Sequence, residues 1–167
     1  MPSYPTDVVA DLIDGKLPWE QTKRIMSDYK DLDRFDKYIE VLQARVPWKE
    51  QILLPIGEHL HIVQKGGERI VKCDCGQEFG SYTENWKLQA LIFVRDTEEL
   101  LEELYPGPKA CDPTLQEIRE FICPGCGTLL EVEAVPPGYP VNFDFLPDLE
   151  GFYEKILGRP LPSGGTA

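Results

Sequence analysis

Apolar residues recur along this chain with two different periods, and the change of period divides it. Up to residue 46 the spacing is helical. Thr6 or Asp7 is placed to cap a short helix through Ile13, with Gly15 as its stop. Pro18 suits the first turn of a second helix that reaches about Tyr29. A third helix is expected from about Asp31 to Arg45. There Leu32, Phe35, Ile39 and Leu42 share one face, and Val46-Pro47 ends the run. That stripe either packs on the body of the same chain or carries a detached arm onto a partner, and periodicity leaves both open.

From Gln51 the period falls to that of strands. Ile52-Leu53-Leu54 and His59 to Val63 are short candidates. Gly66-Gly67 is a hairpin turn into Arg69-Ile70-Val71-Lys72. Leu88 to Arg95 is another strand. Thr97 caps a helix from Glu98 to Tyr105, which Pro106-Gly107-Pro108 ends. Ile118 to Ile122 and Thr128 to Val135 form a hairpin, the second arm reading Leu130, Val132 and Ala134 against Leu129, Glu131 and Glu133. Pro136 to Pro140 breaks regular structure. Asn142 to Asp148 reads as extended, Phe152 to Leu157 as a short helix, and Pro160 to Ala167 as a loose tail.

The strands deliver two cysteine pairs, Cys73-Asp74-Cys75-Gly76 and Cys123-Pro124-Gly125-Cys126-Gly127. Thiolates at such spacing converge on one tetrahedral ion, and a closed four-sulfur shell leaves no position open for chemistry. The glycines allow the tight turns and free backbone amides to face the sulfurs. One residue inside the first pair is shorter than the usual two, and Gly76 permits the sharper turn. Residues 76–122 separate the pairs, longer than the roughly 15–20 residues of a simple ribbon. The pattern therefore predicts a structural zinc site made by Cys73, Cys75, Cys123 and Cys126. The fold class is α+β: a helical N-terminal arm over 1–47 and a small antiparallel β zinc-ribbon-like domain over 48–136, with an insertion between its knuckles. An extended, aromatic and proline-rich segment with a short helix follows over 137–167.

Charge narrows the function. The chain has 167 residues, 17 Lys and Arg against 29 Asp and Glu, and a formal charge of -12. Zinc ribbons that bind nucleic acid use basic surface to neutralise phosphates, and this chain has no such surplus. An anionic membrane would repel it, and no apolar run approaches the roughly 20 residues of a span. A protein partner or an uncharged substrate fits better. Met1-Pro2-Ser3-Tyr4 begins no basic and apolar leader, so no signal peptide is expected. Paired cysteines then point to a reducing cytoplasm, where they bind metal more often than they form disulfides.

The other chemistry-bearing residues form no catalytic set. Cys111 reads as a free loop thiol, with replacement of a ligand as the alternative. His59 and His61 alternate along a strand and so share a face, without a third ligand at motif spacing. Cys-Pro-Gly-Cys also serves thiol exchange, yet no βαβ pattern surrounds it. There is no nucleophile elbow, phosphate loop, dinucleotide fingerprint or His-Glu-x-x-His. Glu98-Glu99 and Glu102-Glu103 read as a solvated helix face. The run from Tyr139 to Pro147 either wraps its own core or lies along a partner.

Several strings are familiar as a set. Cys73-Asp74-Cys75-Gly76, Glu78-Phe79-Gly80, Glu84 to Leu88, Val94 to Glu98, Ile118 to Phe121, Cys123 to Leu130, Glu133-Ala134 and Asp144 to Asp148 resemble the gamma subunits of acetone carboxylases. The likeness covers most of residues 50–155. It implies a small subunit of a heteromeric bacterial carboxylase that uses ATP to join a ketone and bicarbonate, giving a β-keto acid, AMP and phosphate. It further implies two large hydantoinase-like partners, alpha and beta, with two copies of each chain. Those partners would hold ATP and manganese, and this chain would supply zinc and architecture. The readings from other classes are a stand-alone zinc-ribbon module for protein interaction or nucleic-acid binding, and a thiol oxidoreductase.

Overall fold

Prolines, not hydroxyls or carboxylates, open the first two helices. Pro5 and Pro18 are extended and stand directly before α1 (Thr6–Ile13) and α2 (Trp19–Ser27). Neither Thr6 nor Asp7 caps α1; the Asp7 carboxylate accepts from the Val8 amide beside it. Gly15, with φ at 65°, stops α1 as its position predicts. The computed structural model describes residues 3–29, 31–109 and 111–163, so residues 164–167 of the expected tail lie outside the described residues.

The third helix, α3 (Arg34–Gln43), is shorter at both ends than its periodicity predicts. Asp31 is not a helical residue. Its buried carboxylate accepts from the Tyr4 amide at 3.3 Å and from Arg34 Nε at 2.6 Å, while Arg34 also donates to the Ile25 carbonyl. One ion pair thus gathers the approaches to all three helices. Leu32 consequently leaves the stripe and is 90% exposed. The rest of the stripe packs on its own chain: Tyr38, Ile39 and Leu42 meet Ile52, Val63 and Ile70. Of the two open readings for α3, packing on the body is the observed one.

Seven strands make two antiparallel sheets. The first has the order β1 (Gln51–Pro55), β2 (Leu60–Lys65), β3 (Glu68–Cys73), β4 (Glu78–Ser81). The second has the order β5 (Leu91–Arg95), β6 (Glu117–Ile122), β7 (Leu129–Val135). The hairpin at Gly66-Gly67 joins β2 to β3, with Val63 opposite Ile70 and Leu60 opposite Cys73. Both faces of these two strands are covered. Val63 and Ile70 face α3, while Leu60, Ile62, Val71 and Cys73 face the second sheet. Burial on both sides explains why Ile62-Val63 and Ile70-Val71 are adjacent apolar pairs that do not alternate with polar residues.

Three details of the strand reading change. Strand β4 is added; Phe79 is its single buried anchor. The strand expected from Leu88 begins only at Leu91, because residues 86–89 form a 3₁₀ turn capped by Asn85. In β7 a bulge between Phe121 and Ile122 of the register leaves Leu130 unpaired. Leu129 therefore shares the outward face with Val132 and Ala134, while Glu131 and Glu133 remain together on the other. The predicted helix after Thr97 is α4 (Glu98–Leu104), with the Thr97 hydroxyl accepting from Leu100.

An aromatic chain joins the two sheets. Phe79 of β4 meets Trp86 edge-on at 5.9 Å, and Trp86 meets Phe121 of β6 at 6.1 Å. Such pairs contribute about 0.5–1.5 kcal/mol each beyond their buried area. The C-terminal segment then belts the molecule. Leu149 of α5 (Leu149–Gly151) enters the inter-sheet core, and Tyr153 in the following π-helical turn donates to the Leu53 carbonyl at 2.8 Å. Phe152 packs against Phe35, and Arg159 pairs with Asp36 of α3. Among the described residues no helix is long and apolar enough to cross a membrane.

A buried ammonium pins the extended part of that belt. The side chain of Lys87 is wholly buried, with Glu131 at 2.6 Å, Glu133 at 2.5 Å and Asp144 at 3.0 Å. Burial alone would lower its pKa, but the three carboxylates outweigh burial and raise it above the ordinary lysine value. Replacing Lys87 with Met leaves three carboxylates facing one another. Urea denaturation should show a loss of about 3 kcal/mol for this variant. A raised folded-state pKa makes the contribution complete below the unfolded lysine value of about 10.4. The gap between wild type and Lys87→Met should therefore be present at neutral pH and close as pH rises through the raised folded-state value.

Candidate metal centre

Each cysteine pair stands at the end of a different sheet. Cys73 closes β3, and its amide donates to the Gln77 carbonyl while Gly76 donates back to Cys73 at 2.8 Å. Cys123 follows β6, where Cys123 and Gly127 make the equivalent bonds to Thr128 and Cys123. Gly76 and Gly127 have φ of 101° and 76°, a conformation that a side chain strains. Gly125 is needed for another reason. A Cβ there would meet Gln77 Cβ at 3.1 Å and Cys75 Sγ at 3.3 Å, so glycine is what lets the knuckles face each other closely.

All four sulfurs converge. The Sγ atoms of Cys73, Cys75, Cys123 and Cys126 lie within 4.8 Å of one another. The close pairs cross between the knuckles: Cys73 to Cys126 at 3.9 Å and Cys75 to Cys123 at 3.7 Å. These are too long for a disulfide, at about 2.05 Å. Four thiolates about 2.3 Å from a tetrahedral zinc lie about 3.8 Å apart. The donor set and its spacing fit that ion. Cys73 and Cys123 are buried and Cys75 and Cys126 exposed.

Without a cation, the group resists becoming four thiolates. Burial pushes the Cys73 and Cys123 thiols up. The hydroxyl and the backbone amide of Thr128 pull Cys126 down to about 6. The Thr128 hydroxyl lies 3.2 Å from that sulfur. A divalent ion supplies the compensating charge that two buried sulfurs lack.

The remaining sequence candidates fall elsewhere. Cys111 is outside the cluster and lines a shallow depression with Tyr105, Lys109 and Val132. His59 and His61 do share a face, but both rings point at Asp74. Among the described residues one other group has ligand spacing, Glu131, Glu133 and Asp144, and the Lys87 ammonium already sits among them. Sequence reading missed this cluster. The nearest signal was Glu131 and Glu133 on one face of a strand, a pattern that also fits a solvated face until Lys87 is seen against it.

Comparison with known proteins places the chain. The family described as acetone carboxylase gamma subunit matches residues 46–157, a span that holds all four cysteines and the belt through Asp144. The chain is 46% identical over 167 residues to the acetone carboxylase gamma subunit of Xanthobacter autotrophicus, across 99% of both chains. It is 31% identical over 85 residues to the acetophenone carboxylase beta subunit of Aromatoleum aromaticum, across 50% of this chain and 66% of that one. With the match spanning both knuckles and the sheets that carry them, this chain belongs to the acetone carboxylase gamma subunit family.

Proposed function

We propose that this chain is a small zinc-binding, architectural subunit of a heteromeric ATP-dependent ketone carboxylase of the acetone type, converting ketone and bicarbonate to a β-keto acid. The observation that carries the reading is the near full-length likeness to an acetone carboxylase gamma subunit, with four convergent thiols inside the matched span. Zinc would be held by Cys73, Cys75, Cys123 and Cys126. A closed thiolate shell supplies a cross-link and offers no open position to substrate. ATP and manganese then belong to two large hydantoinase-like partners, alpha and beta, with two copies of each chain. Free, paired thiols suit a reducing cytoplasm. The division proposed from sequence, 1–47, 48–136 and 137–167, serves the same design as helical layer, metal-bearing sheets and belt.

Metal analysis tests the ligand set. Wild type should carry one zinc per chain, and Cys123→Ser or Cys126→Ser should lose it. Full zinc in either variant overturns the assignment, and loss from Cys111→Ser would bring that residue into the shell. Chelation should also lower the melting temperature and loosen hydrogen-exchange protection in β3, β4, β6 and β7, since binding energy at such a site is folding energy. A zinc-free chain that stays folded while the assembled enzyme stops turning over would give the metal a catalytic part.

Assembly tests the partner reading. Outward apolar side chains at Trp19, Tyr29 and Leu32, and at Phe145 and Leu146 on the belt, are the proposed contacts with the large chains. Removing residues 1–46 would strip Leu42 from the core, so surface changes are the cleaner probe. The double variant Phe145→Ser and Leu146→Ser should keep its zinc, fail to co-purify with the large chains, and lose carboxylation with them. An intact complex containing that variant, or ATP-dependent carboxylation by this chain alone, overturns the proposal.

A further inference from the structure

The two knuckles are not equally self-sufficient. The second has two residues between its sulfurs, and its turn closes on its own backbone and on Thr128. The first has only Asp74 between its sulfurs, and every polar handle of that residue is held from outside the turn. Its amide donates to the His59 carbonyl at 3.1 Å. Its carbonyl and that of Cys73 each accept from Trp48 Nε1 at 3.1 Å. Its carboxylate oxygens reach His61 Nε2 at 2.6 Å and His59 Nδ1 at 2.9 Å. A carboxylate only accepts, so each ring donates.

The arrangement carries a cost that points to its purpose. His61 is 1% exposed, and its other ring nitrogen, Nδ1, is buried without a hydrogen-bond partner. Leaving a buried polar atom unsatisfied is destabilising. An apolar residue opposite Lys72 on β2 would avoid it. Trp48 is similarly committed. Its ring sits 3.5 Å from where a Cβ at Gly76 would lie, lies tilted against His61 and receives the Lys72 ammonium on its face.

Resting on the four-cysteine zinc reading, we propose that Asp74, clamped by His59, His61 and Trp48, is a positioning residue that makes the one-residue knuckle a competent thiolate pair. Asp74 touches no sulfur through its side chain bonds. Fixing the residue between Cys73 and Cys75 at both peptide groups and at its carboxylate fixes the two Cβ–Sγ directions. His59 and His61, which share a face by strand alternation, are thereby anchors of the ligand loop instead of ligands. Outer-shell partners of this kind typically change metal affinity by about 10–100-fold.

Two readouts test this on the full chain: zinc release to a chromophoric chelator, and the thiolate and visible bands of the cobalt-substituted protein. Asp74→Ala, Trp48→Phe and His61→Leu should release metal about 10–100-fold faster and shift the cobalt bands. His61→Gln, which keeps a donor at the same reach, should stay near wild type. Val63→Ala, a core change facing α3, provides the release rate expected from general loosening at a matched melting temperature. Release no faster than Val63→Ala, with unshifted cobalt bands, overturns the positioning role while leaving the zinc site standing. Should Asp74→Ala not fold, Trp48→Phe and the His61 pair decide by the same criteria. A wild-type chain that takes up no zinc overturns the four-cysteine reading and this one with it.

Discussion

Two sheets that share no hydrogen-bonded strand meet across one seam, and the architecture depends on closing it. The seam has an apolar half and a polar end. Phe79, Trp86 and Phe121 bridge the sheets edge to face, with Leu53, Ile62, Val71 and Leu149 around them. Cys73 and Cys123 belong to that same core, so the aromatic bridge grades directly into the sulfur cluster. Apolar contact is non-directional and would tolerate sliding of one sheet on the other. Four sulfurs gathered around one ion would not. A metal held by Cys73, Cys75, Cys123 and Cys126 would add the angular constraint that packing lacks.

Electrostatics repeat the theme with the protein's own cation. The chain is strongly acidic, and Glu131 and Glu133 project from one face of β7 toward Asp144 on the belt. Three carboxylates so close would repel one another. The Lys87 ammonium, delivered by the 3₁₀ turn between β4 and β5, converts that repulsion into a clasp. The same turn presents Trp86 to the core and Asn85 to the Val141 carbonyl. Three consecutive residues, Asn85, Trp86 and Lys87, thereby tie both sheets to the C-terminal segment, which suits a short turn better than the longer strand expected there.

The belt explains why helices and sheets behave as one layered body. Tyr153 bonds to the β1 backbone, Phe152 rests on Phe35, and Arg159 reaches Asp36. These contacts close over the edge where α3 meets the first sheet. Trp19, Tyr29, Leu32, Phe145 and Leu146 are among the large apolar groups that neither the core nor the belt covers. In a family of carboxylase subunits, such residues are where a partner would dry the surface.

Local signals in the sequence determined much of this. Glycine-flanked cysteine pairs, strand alternation around Gly66-Gly67, the Thr97 cap and the stripe on α3 each depend on neighbours within a few residues, and each is recovered in the fold. Tertiary structure decided the rest because it turns on pairing between distant segments. No local pattern tells Leu32 that Asp31 will be drawn into a bracket with Tyr4 and Arg34. None shows that a bulge will turn Leu129 outward, or that β5 will leave the first knuckle's sheet to pair with β6. Lys87 reads as an ordinary surface lysine until Glu131, Glu133 and Asp144 arrive from residues far along the chain. His59 and His61 were legible as a pair, but what they grasp was not. The register that sets Leu60 against Cys73 decides it, carrying both rings to the one residue between the first two sulfurs.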